Sequence, residues 1–141
     1  FFDELSLLLK NELKVRRYDV IIHSAAVSDY KPSGRARKKI SSGRKGLSLS
    51  LKPTPKIIDS LRKIAPKSFL VGFKFEPDLT GSRLINKARI LLDRAHLDLA
   101  VANSTHNERY LAYLVGTEKE RGPFLSKENM VKGLVGLIRR I

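Results

Sequence analysis

Apolar and polar positions alternate along this chain in two distinct rhythms. Leu5, Leu8, Leu9 and Leu13 recur at helical spacing and predict an amphipathic helix near the front. Tyr18-Asp-Val-Ile-Ile-His then reads as a short strand, whose unbroken run Val20, Ile21 and Ile22 suits burial on both faces. After Ala26 the periodicity stops, and Pro32, Gly34, Ser41, Ser42, Gly43 and Gly46 mark a long mobile loop over 31–46. Leu47-Ser-Leu-Ser-Leu alternates strictly and predicts a strand with one wet face. A helix follows, with Thr54 as its N-cap, Pro55 at its first position and Ile57, Ile58, Leu61 and Ile64 as its apolar stripe. Pro66 ends it.

Phe69-Leu-Val-Gly-Phe is the next strand. Leu84, Ala88, Leu91, Leu92 and Ala95 form the inward face of a second long helix. Leu97–Asn103 and Tyr110–Val115 read as two further strands. A closing helix over Lys127–Ile141 turns Met130, Leu134, Leu137 and Ile138 inward. Strands separated by helices predict a three-layer α/β domain with a mostly parallel sheet. The first strand and glycine-rich turn–helix unit usual in nucleotide-binding domains is missing, and its place would be before Phe1. With Phe1 first and Met130 the sole methionine, the chain reads as part of something longer.

At 141 residues and 42% hydrophobic content, one core is the expectation. No apolar run reaches membrane-spanning length and no signal peptide is present, so a cytoplasmic protein is expected. The absence of cysteine removes disulfides, thiolate metal sites and cysteine nucleophiles. The three histidines lack metal-ligand spacing, and no metal cluster is assigned. His23, inside a strand pattern, reads as a packed, hydrogen-bonded residue rather than a base.

Charge changes the picture more. The net charge is +14, and from Tyr30 to Ile58 there is no acidic residue. Lys31, Arg35, Arg37, Lys38, Lys39, Arg44, Lys45, Lys52 and Lys56 all fall in that stretch. Such a field draws anions, and composition alone admits nucleic acid, a small phosphate ligand or a merely solvated surface. Nucleic-acid binders interleave aromatics with their basic residues, whereas this loop has only Tyr30 at its edge. A small basic nucleic-acid-binding domain is therefore the second reading, behind a small anion. Ligands of parallel sheets sit at the carboxyl ends of strands. Asp29, Glu76 and Asn103 fall there, each after a different strand. Asp29 suits either a ribose or base contact or a turn cap. Ser28 and Tyr30 are weaker candidates with the same ambiguity. Lys39 suits either a lysine that closes over phosphates or a solvated charge.

Five segments then converge on one family. Ala25-Ala-Val-Ser-Asp-Tyr-Lys-Pro resembles the Ala-Ala-Val-x-Asp-(Phe/Tyr) segment of phosphopantothenate–cysteine ligases, also found as the carboxy-terminal half of bifunctional coenzyme A biosynthesis flavoproteins. Lys39-Ile-Ser-Ser, Pro53-Thr-Pro-Lys-Ile-Ile, Val71-Gly-Phe-Lys-Phe-Glu and Asp98-Leu-Ala-Val-Ala-Asn are similar to four more of its elements, in the family's order, with an archaeal spelling. The resemblance implies a Rossmann-like carboxy-terminal portion of a ligase domain, spanning 1–141. It implies an enzyme joining 4'-phosphopantothenate to L-cysteine through an acyl-nucleotide, with CTP and Mg2+, as a cytoplasmic homodimer without membrane or nucleic-acid partners. By that resemblance Lys39 is the catalytic loop lysine. Ala25 and Ala26 frame the cytosine and ribose, Asp29 contacts the nucleotide, and Pro55, Lys56, Ile57, Ile58, Phe73 and Asn103 complete its pocket. Two lysines that the family carries four residues apart fall at Leu91 and Ala95, with Arg89 and Arg94 as neighbouring stand-ins. The asparagine that handles the acyl intermediate belongs to a front segment absent here. A non-catalytic nucleotide-binding remnant is the third reading.

Overall fold

A computed structural model describes residues 2–34 and 46–141 of the chain. In order, the elements are α1 (Phe2–Val15), β1 (Val20–His23), β2 (Tyr30–Pro32), β3 (Leu51–Pro53), α2 (Ile58–Ile64) and β4 (Phe69–Phe75). They continue with α3 (Gly81–Ala95), β5 (Leu99–His106), β6 (Arg109–Gly116), β7 (Glu120–Phe124) and α4 (Lys127–Ile138). Five strands form the central sheet in the order β1-β4-β5-β6-β7, while β2 and β3 pair separately. Neighbours β1–β4 and β4–β5 are parallel, and β5–β6 and β6–β7 are antiparallel. Only β6 therefore opposes the other four, which gives the mostly parallel sheet expected.

The period-2 alternation of the strands sorts the core into two layers. Leu70, Ala100, Ala102 and Val115 face α2 and α3, where Ile58, Leu61, Leu84, Ala88, Leu91, Leu92 and Ala95 close over them, with Leu9 and Leu13 of α1 alongside. Val71, Leu99, Val101, Ala112 and Leu114 face the other way, onto Met130 and Leu134 of α4. Helices on both faces make the third layer. Fully burying each such leucine contributes about 1.5–3 kcal/mol. The five inward positions expected of α3 are its five buried residues.

Gly72 sets how closely the helices approach. A Cβ there would lie 2.5 Å from Leu97 Cδ1 and 2.7 Å from Ile58 Cδ1, so only glycine lets these side chains rest on β4. Gly122, at φ +139, sits where β7 bulges against β6, and a Cβ would meet the Ala112 carbonyl oxygen at 2.8 Å. At the far edge of the sheet Arg62 gathers four acceptors. It donates to the carbonyls of His96, Pro66 and Ser68 and to the Asp98 carboxylate.

Several local expectations are corrected. Residues 46–50 lie outside any strand, and only Leu51–Pro53 pairs, because its partner Tyr30–Pro32 is three residues long. Lys31 and Pro32, expected in the loop, belong to that partner strand. Thr54 does not cap α2, which starts at Ile58 without a side-chain cap, and Pro55 lies ahead of the helix. The Thr54 hydroxyl instead donates to the Ser28 carbonyl at 2.5 Å, and its N–H donates to the Asp29 carbonyl at 2.8 Å. β7 was not anticipated. Most of the 31–46 loop reading, with Lys38 and Lys39, lies outside the described residues.

Candidate functional site

The loop after β1 carries Ala25, Ala26 and Asp29, and it is bracketed in place by the two Thr54 hydrogen bonds. Beside it run residues 54–58, entering α2. β4 and β5 then bring Phe73 and Asn103 to the same carboxyl edge, with Phe75 and Asn103 as register partners. A cleft of about 470 Å³ opens between these segments and α3. Ala25, Ala26, Asp29, Pro55, Lys56, Ile57, Ile58, Phe73 and Asn103 all line it. That volume falls within the range of small-molecule sites. Ser28 lines it too, but its hydroxyl donates to the Tyr30 carbonyl and so serves the turn.

The cleft is lined by both signs of charge. Lys56 Nζ stands 3.8 Å from Asp29 Oδ1, and Lys74 Nζ stands 2.8 Å from Glu76 Oε1. The hydrogen bond from Lys74 holds the Glu76 carboxyl below its usual range, and the charges of Lys74 and Lys87 add to this against an opposing desolvation. His23 ends β1 inside the cleft wall, where burial pushes its pKa below the ordinary value, so the imidazole is neutral at pH 7. Its ring makes no hydrogen bond with a described residue, which corrects the expectation of a hydrogen-bonded packed histidine.

Asn103 supplies the most direct sign of an absent partner. Its side-chain Oδ1 is buried and accepts no hydrogen bond among the described residues. Leaving such an acceptor unmade costs about 1–3 kcal/mol, and native structures rarely do so without a reason. Ser104 Oγ beside it is also unpaired, but its side chain faces the α3 layer of the core.

Sequence reasoning missed part of the wall. Lys87, Ile90 and Arg94 of α3 line the cleft together with Leu91, at spacings that share one helix face. The signal was present, since Lys87 and Arg94 flank the buried Leu91 by four and three residues. Of the two stand-ins expected on this helix, Arg94 is at the cleft. Arg89 is not, because its Nη2 pairs with Glu120 of β7 at 2.7 Å. Lys39 lies outside the described residues. Among those residues no group of three or more His, Cys, Asp or Glu could hold a metal ion. No described helix is long and apolar enough to cross a membrane.

Known proteins resemble this chain throughout its length. The coenzyme A biosynthesis bifunctional protein CoaBC of Thermococcus kodakarensis is 40% identical over 136 residues, which is 94% of this chain and 34% of the relative. Human phosphopantothenate–cysteine ligase is 35% identical over 79% of this chain and 36% of its own length. The chain thus spans about a third of these curated relatives. A crystal structure of the DNA/pantothenate metabolism flavoprotein from Streptococcus pneumoniae superposes with a TM-score of 0.83 at 28% identity, covering 98% of this chain and 69% of that one. The sequence profile of the DNA/pantothenate metabolism flavoprotein C-terminal domain matches residues 6–138. With that match running nearly end to end, the chain belongs to the DNA/pantothenate metabolism flavoprotein C-terminal domain family.

Proposed function

We propose that this chain is the carboxy-terminal portion of a cytoplasmic, dimeric phosphopantothenate–cysteine ligase, and that its cleft binds the activating nucleotide. The single observation that carries the reading is the convergence of the 25–29 loop, the 55–58 turn, Phe73 and Asn103, with its unpaired oxygen, on one cleft at the carboxyl edge of a parallel sheet. The names of the two curated relatives support the reaction class.

In the reaction, a carboxylate oxygen of 4'-phosphopantothenate attacks the α-phosphorus of CTP and pyrophosphate leaves. The cysteine amine then attacks the acyl carbon, loses a proton and expels CMP. Ala25 and Ala26 are small enough to let a base and ribose lie against backbone. Asp29 is the hydrogen-bond acceptor for the ribose hydroxyls, at the cost of loosening its long contact with Lys56. Asn103 Oδ1 accepts from a ligand N–H, and Phe73 with Pro55, Ile57 and Ile58 gives the pocket its apolar wall. Lys39, in the basic 31–46 segment, neutralises charge on the transferred phosphoryl group. Mg2+ would be held by the nucleotide's own phosphates and would neutralise their charge there, because the cleft carboxylates Asp29 and Glu76 already face lysines.

Side-by-side titration of the full-length chain with CTP, ATP and a DNA duplex at about 0.15 M salt tests the reading, because exposed charge is screened beyond roughly 8 Å there. CTP binding tighter than duplex, followed by pyrophosphate release on adding 4'-phosphopantothenate, is the expected result. Tighter duplex binding would replace this reading with nucleic-acid recognition, and nucleotide binding without pyrophosphate release would leave a binding remnant.

A further inference from the structure

We infer that Lys87 of α3 is the side chain that meets the phosphate charge of a ligand in this cleft, an inference resting on the nucleotide reading above. Among the described residues, four cationic side chains line the cleft: Lys56, Lys74, Lys87 and Arg94. Three are already engaged. Lys56 faces Asp29 at 3.8 Å, Lys74 is bonded to Glu76 at 2.8 Å, and Arg94 Nε donates to Asp59 Oδ1 at 3.2 Å. Lys87 makes no ion pair or hydrogen bond with any described residue. Glu76 acts on it only through space, since that carboxylate is hydrogen-bonded to Lys74. An anion arriving at the other three cations must compete with a carboxylate in place, whereas at Lys87 it displaces only water.

The helix fixes where that charge can be. Leu91, one turn after Lys87, is buried at 6% exposure in the core that α3 shares with α2 and β4, and Ala95 is buried at 1%. A cation at either position would stand in an apolar layer and lose its hydration. Position 87 lies on the same face one turn earlier, is exposed, and lines the cleft. Its Cα belongs to a helix anchored by five buried residues, while its four-carbon stem lets the ammonium adjust to a phosphate. The cleft therefore has a polarity, with the ribose acceptor Asp29 on the β1 loop and the unengaged cation on α3.

The test is calorimetric titration of the full-length chain and its Lys87→Gln, Lys87→Arg and Lys67→Gln variants with CTP and with cytidine. Lys67 lies outside the cleft, at the opposite edge of the sheet, and removes the same unit of charge. Thermal unfolding confirms that each variant is folded. Lys87→Gln is expected to weaken CTP about tenfold or more while leaving cytidine within about twofold, because a charge-assisted hydrogen bond is lost. Lys87→Arg should recover part of that loss, and Lys67→Gln should change CTP by less than about twofold. Equal losses in Lys87→Gln and Lys67→Gln would reduce the effect to net charge and overturn the assignment. So would an unchanged CTP affinity, or parallel losses for CTP and cytidine. If the unaltered chain binds CTP and only the Lys87 arm fails, the nucleotide reading stands without it. If the unaltered chain binds neither ligand, both fall.

Discussion

Arg62 Nη2 donates to Asp98 Oδ2 at 2.6 Å, and that same oxygen accepts the backbone N–H of Leu70 at 2.7 Å. One carboxylate therefore ties α2 to β4 and to the entry of β5, on the edge opposite the cleft. Asp98→Ala strips Arg62 of its charged partner and leaves the Leu70 N–H without an acceptor. The expected loss is about 2–3 kcal/mol, read from the urea midpoint with an unchanged slope. CTP affinity of the folded variant should stay within about twofold.

Gly72 makes the opposite kind of prediction, one that reaches the site. Gly72→Ala drives a methyl into Leu97 and Ile58, and overpacking of this kind costs about 1–3 kcal/mol. Ile58 also lines the cleft, so its displacement should weaken nucleotide binding as well as stability. A variant that is destabilised with its CTP affinity intact would show that α2 relaxes without disturbing the wall.

Stability should depend on pH through His23. Burial lowers its pKa below the 6.5 of the free side chain, so between the two values the unfolded chain binds the extra proton. Its contribution is fully present above 6.5 and declines as pH falls toward the lowered folded value. Chemical denaturation from pH 7.5 to 5 should show that decline, and His23→Gln should flatten it.

Lys39 is tested by chemistry alone. In the longer parent protein, with the front segment restored, single-turnover pyrophosphate release with 4'-phosphopantothenate present and cysteine omitted isolates the first step. Lys39→Ala is expected to slow it by a factor equivalent to about 3–4 kcal/mol, as when a strong oxyanion donor is removed. Lys38→Ala should chiefly weaken nucleotide attraction. A normal first step in Lys39→Ala at saturating nucleotide would remove the assignment.

Most of the architecture was legible because it obeys periodicity. The α3 stripe Leu84, Ala88, Leu91, Leu92 and Ala95 became its buried face without exception, since a helix between two layers has one apolar side to hide. β7 was not legible, because Glu120-Arg-Gly-Pro-Phe has no alternation and its pairing depends on a bulge at Gly122. Thr54 misled for a different reason. Its hydroxyl satisfies a carbonyl 26 residues earlier in the chain, a contact that no local pattern encodes. The strand ends announced Asp29, Glu76 and Asn103, and the family resemblance added Phe73, whereas Lys87 emerged only when the fold showed which face of α3 the cleft touches.

The pairing of Pro32 with Leu51 has a consequence for encounter statistics. Both ends of the segment that carries Lys39 are pinned to neighbouring points on a ribbon that Thr54 and Asp29 connect to the cleft. Lys39 is seven residues from Pro32, and a chain of that length reaches about 24 Å at full extension. Chain length alone therefore keeps residue 39 within that radius of Pro32, equivalent to a local concentration there on the order of millimolar. A lysine supplied from solution would have to be present at that level to meet the Pro32 end of the ribbon as often.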